Sequence, residues 1–262
     1  MDKNLACKGS IKQFRNSENS KKIVGMTRGF FAFLKRLGAL LLNLIFPPRC
    51  IFCENLMPAD TRINICKSCA DTIPLSNSYM YLKTDKTEYA NTDACDVFLW
   101  VYQYSGAVKA AIRRYKFHNK PSYFRTFSQI LAYEIKNKLD IENIDMILCV
   151  PLHKQRERMR GYNQARLLSR AVSRELNIPD KSNLLVRVKN TKPQSLLGKE
   201  QRSENIKGAF RVVNENEIKG KKILLIDDIL TTGATLNECA RVLKEAGAIQ
   251  VNAAVISSGR KY

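Results

Sequence analysis

The sequence predicts an α/β protein, a mainly parallel sheet flanked by helices, with a small four-cysteine module ahead of it. Three observations carry this. Ile223-Leu224-Leu225-Ile226 is an unbroken aliphatic run, as a strand buried on both faces requires, and Leu236, Cys239, Ala240, Leu243 and Ala246 then recur at helical spacing until Gly247 ends the helix. Shorter apolar runs over 97–102, 146–150 and 250–257 alternate along the chain with amphipathic helical stretches. Finally, Cys50-x-x-Cys53 is followed, after twelve residues, by Cys66-x-x-Cys69.

With 262 residues, 45% of them hydrophobic, the chain can bury a substantial core. Its formal net charge of +20 is unevenly spread. Residues 1–50 hold ten Lys or Arg against Asp2 and Glu18; residues 105–125 hold six cations and no acid; residues 153–174 hold seven cations against Glu157. Polyanions are the natural partners of such patches, whether a nucleic acid bound with strong salt dependence or a phosphate-rich small ligand.

Taken in order, residues 1–25 are polar, lack apolar periodicity and are expected to form a disordered tail, with Met26 an alternative start. The next segment, residues 26–75, combines an amphipathic helix with the cysteine module. Phe30, Phe31, Phe33, Leu34 and Leu37 lead into the apolar run 40–46, which Pro47-Pro48 stops. A membrane span needs about 20 apolar residues, and Lys35 and Arg36 leave only about ten uninterrupted. No transmembrane span is expected; the alternatives are packing on the protein itself or peripheral contact with an anionic membrane surface. The apolar core lies too far from Met1 for a signal peptide and lacks a small-residue cleavage site, so a cytoplasmic location is expected.

Each Cys-x-x-Cys turn offers two thiolates from one tight loop, and two such loops close a tetrahedral zinc site with no open position for catalysis. Cys50, Cys53, Cys66 and Cys69 are therefore the expected ligands of a structural zinc ion. A disulfide pair is the alternative, weakened because cytosolic thiols stay reduced. Cys7, Cys95, Cys149 and Cys239 have no matching spacing; Cys149 and Cys239 fall in apolar patterns and read as buried thiols.

A polar link over 76–95 precedes the α/β domain, 96–262. After the strand at 97–102, a helix places Ala107, Val108, Ala111, Ile112 and Tyr115 on its apolar face, with Lys109, Arg113, Arg114 and Lys116 on an opposite face expected to be solvated. His118 falls in the loop beyond. A second helix spans 123–139 and a buried strand spans 146–150. The run from Arg156 then opens a helix reaching about Leu176. The last strand covers 250–257.

The most informative stretch is Ile226-Asp227-Asp228-Ile229-Leu230-Thr231-Thr232-Gly233-Ala234-Thr235. A small, hydroxyl-rich loop between strand and helix lets backbone N–H groups approach an anion where the helix dipole favours negative charge. Two carboxylates at the strand end project into the crevice where open α/β sheets bind ligands, and suit the hydroxyls of a sugar. A phosphorylated sugar satisfies both halves.

This stretch resembles the phosphoribosyl-pyrophosphate (PRPP) motif of type I phosphoribosyltransferases. The resemblance implies that Asp227 and Asp228 hold the ribose hydroxyls beside a magnesium ion, that Thr231, Thr232, Gly233, Ala234 and Thr235 hold the 5′-phosphate, and that the loop Leu152, His153 and Lys154 takes pyrophosphate. His153 has an equal alternative as a capping residue. Thr231 departs from purine-salvage members, which place a base-assisting Asp there, and this disfavours a hypoxanthine or guanine transferase. Further motifs sharpen the resemblance: Phe46-Pro47-Pro48-Arg49-Cys50, Tyr115-Lys116-Phe117, Pro151-Leu152-His153, Arg160-Gly161-Tyr162-Asn163-Gln164, and the series Arg187, Thr191, Gln194, Leu197, Arg202, Asn205, Gly208-Ala209-Phe210 together are similar to the ComF family of competence proteins. Family members join a zinc ribbon to a phosphoribosyltransferase-like domain, and several are linked to natural transformation. The polar stretch 187–210 reads as a mobile lid with Thr191, Gln194 and Arg202 facing the ligand. Two functions follow: a transferase in which a nucleophile displaces pyrophosphate from PRPP, or a single-stranded DNA-handling protein that uses its ribbon and basic surface.

Overall fold

The computed structural model describes Gly38 and residues 46–59, 61–75, 79–81, 94–191 and 198–259. The expected tail 1–25, nearly all of the helix before Pro47, Cys7 and Gln194 lie outside these residues. The chain divides into two compact units, one comprising Met1–Pro48 with Leu56–Thr61, the other Arg49–Asn55 with Arg62–Tyr262. In the first, the described residues form turns: Met57 N–H donates to the Pro48 carbonyl, and Thr61 donates through both N–H and Oγ1 to that of Pro58.

The second unit holds both Cys-x-x-Cys turns, a short helix α1 (Lys67–Thr72) and the α/β domain. After β1 (Tyr79–Tyr81) come β2 (Val97–Gln103), α2 (Gly106–Phe117), α3 (Phe124–Lys138), β3 (Met146–Cys149), α4 (Lys154–Arg160), α5 (Gln164–Leu176), β4 (Leu185–Arg187), α6 (Lys199–Ile206), β5 (Phe210–Val212), β6 (Lys222–Leu230), α7 (Ala234–Glu245) and β7 (Gln250–Ser258). The main sheet runs β1-β2-β7-β6-β3; β1 pairs antiparallel at one edge and the other four strands are parallel. Strands β4 and β5 form a separate antiparallel ribbon.

Alternation along the parallel strands sorts their side chains to two faces. Phe98, Trp100, Leu148, Leu225, Ala253 and Val255 share one buried core with Leu236, Cys239 and Leu243 of α7. The intervening Leu99, Ile147 and Leu224 are equally buried, and α3 and α5 pack on the sheet and on each other. Near-continuous apolar strands are thus the signature of a sheet covered on both sides. Cys149 and Cys239 are fully buried, as their apolar settings suggest.

Four expectations need correction. Strand β6 continues through the acid pair to Leu230, because the parallel register with β7 persists from Lys222↔Gln250 to Leu230↔Ser258. The acids, expected at the strand's end, therefore stand two residues inside it, and the loop shrinks to Thr231–Gly233, with Ala234 and Thr235 in the first turn of α7. The helix read from Arg156 to Leu176 is two helices: Gly161 adopts φ 85° as the left-handed end of α4, and Asn163 caps α5 by accepting from Arg166 N–H. The stretch 187–210 is not all loop: among its described residues β4 ends at Arg187, α6 packs on α7, and β5 begins at Phe210. The polar link 76–95 contains edge strand β1.

Candidate functional site

Two sites assemble from these elements. In the ribbon, the Sγ atoms of Cys50, Cys53, Cys66 and Cys69 all lie within 4.8 Å of one another, with Cys53 and Cys66 at 3.6 Å. Four thiolates around a tetrahedral ion with Zn–S bonds near 2.3 Å stand about 3.8 Å apart, so the donor set and spacing fit zinc. Burial pushes the Cys50 thiol up, but N–H groups of Cys53, Cys66 and Phe52 outweigh it and bring the pKa down to about 7. That favours a thiolate at Cys50, whereas burial and the neighbouring cysteines push the Cys69 thiol up.

The second site is the crevice at the C-terminal ends of β3 and β6. Because neighbouring side chains on a strand point to opposite faces, Asp227 and Asp228 meet different partners. Asp228 is 6% exposed and accepts an ion pair from Lys116 of α2, Nζ to Oδ1 2.9 Å. Asp227 is half-buried, and its Oδ1 accepts from Asp228 N–H at 2.8 Å. Burial, reinforced by the neighbouring Asp228 charge, raises the Asp227 pKa to about 7, while Lys116 and Arg187 pull the other way.

After β3, Val150 and the buried Pro151 lead to half-buried Leu152 and His153, then exposed Lys154. His153 caps α4: its Nδ1 accepts from Gln155 N–H at 3.4 Å. The capping role its position suggested is thus present. Beyond β6, Thr231 is exposed, Thr232 Oγ1 accepts from Ala234 N–H at 3.4 Å, and Gly233 turns the chain at φ 88° into α7. Only a residue comfortable at positive φ makes so short a turn without strain.

Of the expected lid residues, Thr191 bonds two arginines, Arg156 and Arg187. Arg156 donates to its carbonyl and Arg187 Nη2 to its Oγ1 at 2.5 Å, while Asn190 Nδ2 reaches Gln155 Oε1 at 2.6 Å. Two guanidinium groups converge on one threonine. Burial lowers both their pKa values, and each is lowered further by another arginine, Arg160 for Arg156 and Arg156 for Arg187. Arg202 lies half-buried on α6.

The Arg160–Gln164 motif is a clasp. Tyr162 hydroxyl donates to the Tyr115 carbonyl, Tyr115 hydroxyl donates to the Gln164 carbonyl at 2.9 Å, and Asn163 Nδ2 donates to the Val150 carbonyl at 3.2 Å. Arg160 Nη1 reaches Gln164 Oε1 at 2.6 Å, its guanidinium 5.0 Å from the Phe117 ring centre. These bonds fix the loop after β3 against the end of α2. Sequence reading missed Lys116, Arg156 and Arg187 as crevice residues. It assigned Lys116 and Arg114 to a solvated face, whereas Lys116 pairs with Asp228 and Arg114 bonds the ribbon. An apolar groove of about 640 Å³ opens elsewhere in this unit, lined by Phe52, Ile65, Ile73, Tyr102, Ile130 and Tyr133, and by none of the crevice residues.

A parallel sheet ending in an acid pair, with a tight loop at a helix start beside it, defines a phosphoribosyltransferase-like protein. The family model described as phosphoribosyl transferase domain matches residues 128–262, just over half of the chain, and that described as double zinc ribbon domain matches residues 41–79. Competence protein F of Haemophilus influenzae is 35% identical over 160 residues, 60% of this chain and 70% of that protein. DNA utilization protein YhgH of Escherichia coli K12 is 31% identical over 154 residues, 58% of this chain and 67% of that protein. Competence protein ComFC of Bacillus subtilis is 36% identical over 149 residues, 56% of this chain and 58% of that protein. The chain belongs to the ComF family. Among the described residues, no helix is long and apolar enough to cross a membrane.

Proposed function

We propose that the crevice binds PRPP together with a magnesium ion and supports phosphoribosyl transfer. One observation carries this reading: an acid pair at the end of a parallel strand, Asp228 buried against Lys116 and Asp227 half-buried with the Arg187 charge acting on it, leads directly into the Thr231–Gly233 turn at the start of α7. In this reading Asp227 and Asp228 take the ribose hydroxyls, and Thr231, Thr232, Gly233, Ala234 and Thr235 enclose the 5′-phosphate at a helix N-terminus. Leu152, His153 and Lys154 border the pyrophosphate, with Arg156 and Arg187 near enough to offset its charge. Magnesium supplies further charge neutralisation at the leaving group. An acceptor lone pair forms a bond to the anomeric carbon as the bond to pyrophosphate oxygen breaks, and pyrophosphate leaves with that electron pair. Thr191, Gln194 and Arg202 belong to the element that would cover the site.

A second reading, handling of single-stranded DNA, is favoured by the +20 charge, by exposed Lys109, Arg113, Lys154 and Arg158, and by the name DNA utilization protein that the YhgH relatives carry. It places the chain in the cytoplasm beside a DNA-import machine.

Calorimetry with Mg·PRPP at one salt concentration separates the two. Wild type is expected to bind, and Asp227→Asn/Asp228→Asn to lose at least tenfold in affinity, since a charge-assisted bond contributes about 1.5–3 kcal/mol. No binding to wild type would remove the PRPP reading and leave DNA as the ligand to pursue.

A further inference from the structure

Three consecutive residues near the end of α2 face three different structures, because successive helical side chains stand about 100° apart. Arg114 turns to the ribbon: its Nη2 donates to the carbonyls of Ile51, at 2.8 Å, and Phe52, at 2.7 Å, and its Nε lies 3.6 Å from Glu54 Oε1. Ile51 and Phe52 are the two residues enclosed between Cys50 and Cys53. Tyr115, fully buried, takes part in the clasp through its hydroxyl and its carbonyl. Lys116 reaches Asp228 at 2.9 Å. The side chains of Arg114 and Lys116 are only 18% and 21% exposed, so neither bond is a loose surface contact.

Two further contacts seat the ribbon: Phe52 meets Tyr102 of β2 edge-on at 5.5 Å, and Asn64 N–H donates to Thr126 Oγ1 of α3 at 3.1 Å. The carbonyls that Arg114 holds belong to a turn whose shape depends on Cys50 and Cys53 sharing one ion, because a ribbon this small draws its folding energy from the metal. One turn of α2 thus touches the metal loop at one residue and the acid pair at the next but one.

We propose that the Arg114–Tyr115–Lys116 turn couples the two sites, so that zinc in the ribbon strengthens ligand binding in the crevice and ligand strengthens zinc binding by the same factor. Arg114 and Lys116 act as positioning residues: Arg114 sets the end of α2 against the metal-bound turn, and Lys116 reports that position to Asp228. The coupling rests on the crevice being the PRPP site. Reciprocity is a thermodynamic necessity once the sites share an equilibrium, and couplings of this kind reach about 5- to 150-fold.

The test uses the full, zinc-loaded chain. Zinc affinity is measured by equilibrium competition with a pyridylazo indicator, with and without saturating Mg·PRPP. Wild type is expected to hold zinc at least about fivefold more tightly with ligand. Lys116→Gln should match wild type in zinc affinity without ligand and, at a Mg·PRPP concentration raised until calorimetry shows the variant saturated, show no tightening; if it cannot be saturated, the Arg114→Gln comparison decides. Arg114→Gln should hold both zinc and PRPP more weakly. Coupling is overturned if PRPP binds wild type yet leaves its zinc affinity unchanged, if saturated Lys116→Gln is tightened as much as wild type, or if Arg114→Gln keeps the wild-type PRPP affinity. Should wild type not bind PRPP, the crevice reading fails, and hydrogen exchange of the zinc-loaded chains then decides the linkage. Arg114→Gln should hasten exchange over residues 226–230 relative to wild type, and unchanged exchange there would sink the proposal.

Discussion

Asp227 is an acid whose surroundings hold back its ionisation. Burial and the adjacent Asp228 lift its pKa from the ordinary 3.8 to about 7. A ligand carrying a divalent cation favours the ionised form, so Mg·PRPP affinity should rise about tenfold between pH 6 and pH 8 and binding should release a proton. Calorimetry in buffers of different ionisation enthalpy measures that proton, and Asp227→Asn should flatten the profile. Stability runs the opposite way. Because the folded chain holds this proton more tightly than the unfolded one, the group's contribution is complete below about pH 4 and is lost as pH rises through about 7. Urea midpoints of Asp227→Asn should therefore fall less than those of wild type from pH 6 to pH 8; equal falls would place the pKa elsewhere. Asp228 differs only by strand parity: it faces Lys116, and Asp228→Asn leaves that ammonium facing an amide.

Elements were legible where one pattern dominates. The apolar runs at 97–102, 146–150 and 223–226 became parallel strands because burial on both faces leaves no room for polar alternation. The two Cys-x-x-Cys turns closed one four-sulfur cluster because their spacing is itself the geometry. Lys116 and Arg114 were not legible, since a helical cation looks the same whether water or a neighbouring element faces it, and their partners lie 112 and 63 positions away. The break between α4 and α5 was readable in principle: a glycine end and an asparagine cap stand two residues apart, but the surrounding helix formers masked them. Gly161 has φ 85° and nothing within 4 Å of an added Cβ, so Gly161→Ala meets conformational strain without a clash. It should cost about 1–2 kcal/mol in urea unfolding. Fusing the two helices would tilt Tyr162 and Asn163 out of the clasp, and a wild-type midpoint would show that the break tolerates an ordinary residue.

For the whole molecule, the +20 charge and the acid-lined crevice make separable demands. Cations spread over α2 and α4 are suited to a phosphate backbone, whereas the acid pair repels one. A single strand that contacts about four phosphates should bind with a slope near −2.8 in log affinity against log salt, and weaken roughly fiftyfold from 50 to 200 mM. Replacing exposed Lys109, Arg113 and Arg158 by Gln should make that slope shallower by up to about two. The same triple variant should keep its Mg·PRPP affinity within about twofold, because all three side chains are exposed and none belongs to the crevice. Fluorescence anisotropy of a labelled oligonucleotide across a salt series measures the slope. A salt-independent affinity, or a triple variant with the wild-type slope, would assign the excess charge to solubility and leave the crevice as the anion site of the fold.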